Sequence, residues 1–387
     1  MSRALDRFLA ASQLAGWTAL AVCGALLAGC STASSGLSVA MRDSLRIQIA
    51  ERGLDPDEVV MPFRANEAMR HWVREQVKTG GEPSSRLEQL LQALLHRDGI
   101  ELSYQRGFTA TAEEVWETNK ANCLSFTHLY VGLAREIGLP VYYLRVADLQ
   151  SFEKDGDLVV ASEHITAAFG PPHRRHVLDF TDRPVAEYRQ IEPISDLRAV
   201  ALHYSNLGAN LIRTDQTVEA ARMLEVATRL DPELADGWVN LGVAKRRLGL
   251  PAEAERYFRQ ALEVDPTANS AYNNLASLLQ RLGRAAEASR VLALTDRQRN
   301  RNPFSYLALG DLALREGRLD EAERFFRRAL RLDPEQAGAL AALGQWALAA
   351  GRRDAAERWL KRAEEADPAE PRVSELARSL RTATRQG

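Results

Sequence analysis

Residues 238–266 read WVNLGVAKRRLGLPAEAERYFRQALEVDP, and this stretch decides the fold of the C-terminal half. Its apolar residues recur three and four apart on either side of Gly249, the pattern of two amphipathic helices joined at a glycine turn. Gly242 and Ala254 are small where the paired helices must approach, while Trp238 and Phe258 are large where space must be filled. Pro266 ends the second helix, and Asp265 before it is steered out of helical geometry. The same marks return along the chain. Asp231-Pro232, Asp265-Pro266, Asp333-Pro334 and Asp367-Pro368 lie 34, 68 and 34 residues apart, and Gly249, Gly283, Gly317 and Gly351 lie 34 apart.

A 34-residue helix–turn–helix period resembles the tetratricopeptide repeat. The pattern residues are Tyr204, Leu207, Gly208, Ala220, Leu224, Ala227 and Pro232 in the first repeat, and Trp238, Leu241, Gly242, Ala254, Phe258, Ala261 and Pro266 in the second. The fourth repeat has Tyr306, Leu309, Gly310, Ala322, Phe326, Ala329 and Pro334, and the fifth has Leu340, Leu343, Gly344, Ala356, Leu360, Ala363 and Pro368. The third is weaker: Tyr272, Leu275, Ala288 and Leu292 match, but Ala276, Thr295 and Asn300 replace Gly, Ala and Pro. The expected architecture is five repeats over 201–370 and a capping helix over 371–387, because a solenoid needs a polar outer face at its end. The resemblance implies that the first helix of each repeat lines a groove for protein or peptide partners. Asn206, Asn240 and Asn274 recur in register there and offer amides to a bound backbone. Arg213, Arg247, Arg281 and Arg315 also recur in register and offer a positive stripe. Both sets have the alternative reading of a solvated surface.

Residues 44–183 do not repeat. Helical patterns run over Asn66–Lys78 and Ser85–His96, and again from Thr111 to Glu117. Asn122 is a good N-cap, and Phe126, Leu129, Tyr130, Leu133, Ala134 and Ile137 then form one apolar stripe that Gly138 and Pro140 stop. Cys123 therefore opens a helix, where the dipole favours thiolate. His128 falls off the stripe and is expected in solvent. Val141–Val146, His164–Phe169 and Arg175–Phe180 are β-rich, and the last two are candidates for an antiparallel pair.

Cysteine at a helix start, histidine on a strand and aspartate on the next strand resemble the core of the transglutaminase-like, papain-related superfamily over roughly 65–182. The implied fold is an α+β domain with helices packed on an antiparallel sheet, ahead of the all-α solenoid and joined to it by a linker over 184–200. The implied chemistry is nucleophilic attack by Cys123, with His164 as base and Asp179 orienting the imidazole, through a thioester. Asn122 and Phe180 depart from residues common in that family. His176 is a rival for His164 but lies three residues from Asp179. The Cys, His and Asp residues lack close ligand-pair spacing, so no metal is expected, and no cofactor is implied.

The first 29 residues have Arg3 and Arg7 ahead of a short apolar run from Leu14 to Gly29, as in a secretory signal. Leu27-Ala28-Gly29-Cys30 resembles the lipobox of bacterial lipoproteins. That resemblance implies lipidation at Cys30 and membrane attachment through the lipid. Ser31 after the cysteine favours the outer membrane, facing the periplasm. The small and polar stretch over 30–43 reads as a flexible tether. Of three cysteines, Cys23 lies in the signal and Cys30 would carry lipid, which leaves Cys123 as the one thiol.

The chain has 387 residues, enough for two or three domains, and its 45% hydrophobic and 26% charged content is that of a folded protein. A net charge of −2 gives no ground for nucleic-acid binding. Two functions compete: a lipid-anchored cysteine hydrolase acting on protein or peptide amides, with repeats that recruit partners, and a non-catalytic scaffold whose transglutaminase-like domain only binds. The Cys-His-Asp order favours the first. Protein crosslinking is a third, but needs an acceptor pocket that the sequence does not reveal.

Overall fold

The computed structural model describes residues 33–95, 103–105, 107–155, 158–178, 190–296 and 302–384. The expected signal segment, the expected lipidation site Cys30 and Asp179 lie outside them. The chain divides into two compact units, one of residues 1–145 and 165–196, the other of 146–164 and 197–387.

Among the described residues, the first helix of the first unit is α1 (Ala33–Glu51). This corrects the expected tether, which is helical from Ala33 onward. Leu45 and Ile49, four residues apart, are buried, and a helix anchored by that stripe propagates back through small residues that do not oppose it. Helix α2 (Glu67–Gln76) starts where Asn66 accepts from the Met69 amide at 3.0 Å, and α3 (Pro83–Leu95) buries Leu87, Leu90 and Leu94. A short parallel pair follows, β1 (Ser103–Tyr104) with β2 (Lys120–Ala121). Between them lies α4 (Ala112–Thr118), closed by a capping box of Thr111 and Glu114.

Helix α5 (Cys123–Glu136) is the core of this unit, buried at every position from Leu124 to Glu136. The sequence stripe is therefore only one side of an all-round packed helix. His128, expected in solvent, is fully buried, with Nδ1 2.8 Å from the Tyr143 hydroxyl. The physical reason is neighbours on every face: α1, α2, α3 and α4 all pack on α5. At Gly132 the packing is closest, since a Cβ there would lie 2.2 Å from the Phe63 carbonyl oxygen. Arg135 is held by two 2.8 Å bonds to Asp196 and one of 3.0 Å to the Val141 carbonyl. Its guanidinium also lies over the Phe63 and Tyr143 rings, 5.4 and 5.8 Å from their centroids.

The sheet orders its strands β5-β4-β3-β6: β3 (Tyr142–Asp155), β4 (Leu158–Phe169), β5 (His176–Leu178) and β6 (Ile191–Ile194). The expected antiparallel pair is present, with Ala167 opposite Leu178 and Phe169 opposite His176. Strands β3 and β4 are longer than expected, because Glu153, Lys154 and Asp155 interrupt the apolar signal without ending the strand. The expected linker over 184–200 is also corrected. It contains β6 and the first turn of α6 (Asp196–Arg213), where Leu197, Ala199 and Val200 are buried and so draw the helix into packing.

The second unit carries the repeats. Helix pairs α6 and α7 (Thr217–Leu230), α8 (Ala235–Arg247) and α9 (Pro251–Val264), α10 (Asn269–Arg281) and α11 (Ala285–Asp296), α12 (Pro303–Arg315) and α13 (Leu319–Leu332), and α14 (Ala337–Ala349) and α15 (Arg353–Ala366) precede the capping helix α16 (Pro371–Thr384). Gly242 and Gly310 lie against Phe258 and Phe326 of their partner helices, as the size pattern requires. Three of the four Asp-Pro steps share a mechanism. Proline has no amide to give, so the carboxylates of Asp231, Asp265 and Asp367 accept instead from the next amides on, at Glu233, Thr267 and Ala369. The aromatic residue that opens the following repeat ties the same turn, Trp238 donating to the Pro232 carbonyl and Tyr272 to that of Pro266.

His203 on α6 is 2% exposed, and burial pushes its pKa down to about 4 from an ordinary 6.5. The unfolded state thus binds the proton more readily, so stability is complete above pH 6.5 and falls as pH drops toward 4. The loss is on the order of 3 kcal/mol across that window. Denaturant midpoints measured from pH 7 to 4 should fall accordingly, and His203→Leu should flatten that part of the profile.

Candidate functional site

Cys123 is half-buried and occupies the first position of α5. A buried polar network fixes that turn. Asn122 Oδ1 accepts from the Ser125 amide and hydroxyl, both at 2.8 Å, and Asn122 Nδ2 donates to Thr109 Oγ1 at 3.0 Å. The Ser125 hydroxyl oxygen in turn accepts from the Ala110 amide at 2.8 Å. The loop before α4 is thereby clamped to the start of α5, with every member buried. One turn on, the Thr127 hydroxyl lies 2.7 Å from the Cys123 carbonyl oxygen and 3.3 Å from that of Ile165. Ile165 follows His164 in β4. Thr166 donates to the Leu178 carbonyl, joining β4 to the last described residue before Asp179.

Of the expected triad, then, Cys123 stands at the amide end of a buried helix, where an anion is favoured. His164 is half-buried on β4 and grouped with the second unit. Asp179 lies outside the described residues. The rival His176 is exposed on β5. Ser125 and Thr127 had no signal of their own in the sequence, because a hydroxyl inside a helix looks like any surface polar residue. Among the described residues, no group of three or more His, Cys, Asp and Glu is placed to hold a metal ion, and no helix is long and apolar enough to cross a membrane.

The two registers on the repeats separate in the structure. Asn240 and Asn274 are buried, and Asn240 Nδ2 donates to Ser205 of the preceding repeat at 3.3 Å. Asn240 thus bridges the first helices of two successive repeats. Asn206 is half-buried. The arginines end the first helices: Arg213, Arg247, Arg281 and Arg315 are the last residues of α6, α8, α10 and α12. Arg213, Arg281 and Arg315 are exposed, whereas Arg247 is half-buried and donates to the Ile212 carbonyl at 2.5 Å, satisfying the end of the previous repeat's helix. Arg315 lines a cavity of about 610 Å³ with Asp311, Gln345, Glu370, Arg372 and Glu375. Arg372 and Asp311 form a bidentate pair across it.

Models of the tetratricopeptide repeat match residues 235–268, 270–295 and 313–380. The C-terminal part of the chain thus carries these repeats. No curated protein matches the chain. Solved structures that resemble it include PilF of Pseudomonas aeruginosa, 22% identical over 49% of this chain and 85% of that one, with a TM-score of 0.42. PilW, a type IV pilus biogenesis factor, is 20% identical over 49% of this chain and 95% of its own, at a TM-score of 0.37. YrrB, a repeat protein with an unusual peptide-binding site, is 21% identical over 46% and 92%, at 0.35.

Proposed function

We propose that the chain is a protein-binding scaffold. Its tetratricopeptide stack recruits a protein or peptide, and its N-terminal domain, with the transglutaminase-like order of residues, binds without turnover. The observation that carries this reading is the run of five helix pairs with a cavity of about 610 Å³ at one end, large enough for a peptide segment and lined by both charges. Lipid attachment at Cys30 would hold the scaffold on the outer membrane, facing the periplasm. The repeats alone, residues 195–387, should still capture a subset of the proteins that the full chain captures. Capture of no protein by a folded 195–387 fragment would count against the reading.

A second reading has one observation in its favour. Cys123 opens a capped, buried helix, and Thr127 lies within hydrogen-bond distance of both the Cys123 and Ile165 carbonyls. In a cysteine hydrolase, Cys123 Sγ would bond to the substrate carbonyl carbon as His164 takes its proton. The amine would leave with that proton, and water would release the acid. Asp179 would hold the imidazole. On this reading Cys123 reacts with iodoacetamide well below the pH set by a free thiol, whose pKa is about 8.5. His164→Ala should return it to ordinary behaviour with helical content unchanged. Alkylation that titrates like a free thiol leaves the scaffold reading alone.

A further inference from the structure

The last two repeats carry a second feature, distinct from the cavity beside Arg315. A notch of about 260 Å³ opens between α13 and α15. Leu330, Pro334, Leu343 and Trp359 give it an apolar lining, and Arg327, Arg331 and Arg362 stand around it. No carboxylate lines it. Helix α13 concentrates the charge: Arg324, Arg327, Arg328 and Arg331 are all exposed, and Glu323 pairs with Arg327 at 2.7 Å. Arg362 lies over the half-buried Trp359 ring, 4.9 Å from its centroid, which holds a cation beside the apolar wall.

Size and charge together select an occupant. The notch is smaller than the roughly 300–1,000 Å³ of a small-molecule pocket, but it suits one large apolar side chain of a longer ligand. A bare phosphate could pair with the guanidiniums but would leave the leucine and tryptophan wall uncovered, whereas an apolar side chain fills it. The guanidiniums would pair with carboxylates on either side of the anchor, in the bidentate geometry arginine favours. We propose that this notch docks an acidic peptide segment bearing one aromatic or large aliphatic anchor residue, independently of any ligand in the cavity beside Arg315.

The test uses the full-length chain and fluorescently labelled Glu-Glu-Phe-Glu-Glu, followed by anisotropy. Binding should weaken steeply with salt. The Arg331→Glu, Arg362→Glu double variant should raise Kd at least tenfold, with its thermal midpoint unchanged because both residues are exposed. Replacing the probe's Phe by Ala should weaken binding at least fivefold, and Trp359→Phe should restore most of what Trp359→Ala loses. Arg315→Glu, in the other cavity, should leave the probe's Kd alone. An unchanged Kd in the double variant would overturn the proposal. So would vesicles of phosphatidylglycerol in phosphatidylcholine that bind the chain through Arg331 and Arg362 while the peptide does not, since the surface would then be a membrane contact.

Discussion

Asp196→Ala is expected to destabilise the first unit by about 3–5 kcal/mol, the cost of leaving a buried cation without its counter-charge. The Arg135 side chain is only 4% exposed and both of its terminal nitrogens bond to Asp196. After the substitution, the Val141 carbonyl and two aromatic faces remain, and neither supplies a negative charge. The carboxylate itself is 18% exposed, so its own desolvation offsets less of the pair's attraction than a fully buried partner would. Urea denaturation measures the effect. A double variant, Arg135→Met with Asp196→Leu, should recover most of the loss, because two apolar groups need no pairing. A loss below about 1 kcal/mol for Asp196→Ala would place the pair among solvated surface bridges and contradict its role as the clamp on α5.

Gly242→Leu should strike the repeats comparably. A Cβ at position 242 would lie 2.5 Å from Phe258 Cε1 and 2.7 Å from Cδ1, inside any tolerated contact, before the rest of leucine is placed. Phe258 is fully buried and has no free direction to turn. Overpacking of this kind costs about 1–3 kcal/mol, and this site should reach the upper end because α8 and α9 must separate to admit the side chain. Adding Phe258→Leu should return part of the loss, giving a coupling energy of about 1 kcal/mol or more between the two positions. Additive effects would mean that the ring and the glycine do not share one space.

The repeats were legible in the sequence because each mark has one cause. Gly242 is small because Phe258 touches it, and Gly249 turns the chain at φ +74°, where other residues are strained. Even so, the first repeat meets that turn with Asp215 at φ +62°, so no glycine period shows there. The N-terminal unit was less legible. Its caps at Asn66, Thr111 and Asn122 stand where their side chains predict. The surroundings of α5 did not show, because periodicity reports one buried face and α5 has no other kind. His128 therefore reads as surface in the sequence, and Ser125 and Thr127 carry no signal there. The asparagine register is ambiguous for a related reason. A polar residue recurring every 34 positions can serve the contact between repeats as well as a ligand, and Asn240 serves Ser205.

A scaffold must hold its protein partner through the repeats whether or not Cys123 is present. A photoreactive benzoyl-phenylalanine placed at position 315, in the lining of the cavity of about 610 Å³, tests this in the living cell. Irradiation should give a discrete protein adduct, of equal yield in wild type and in Cys123→Ala. That adduct should be lost in Gly242→Leu, where the stack is strained. No adduct at position 315, or one that vanishes with Cys123→Ala, would contradict it.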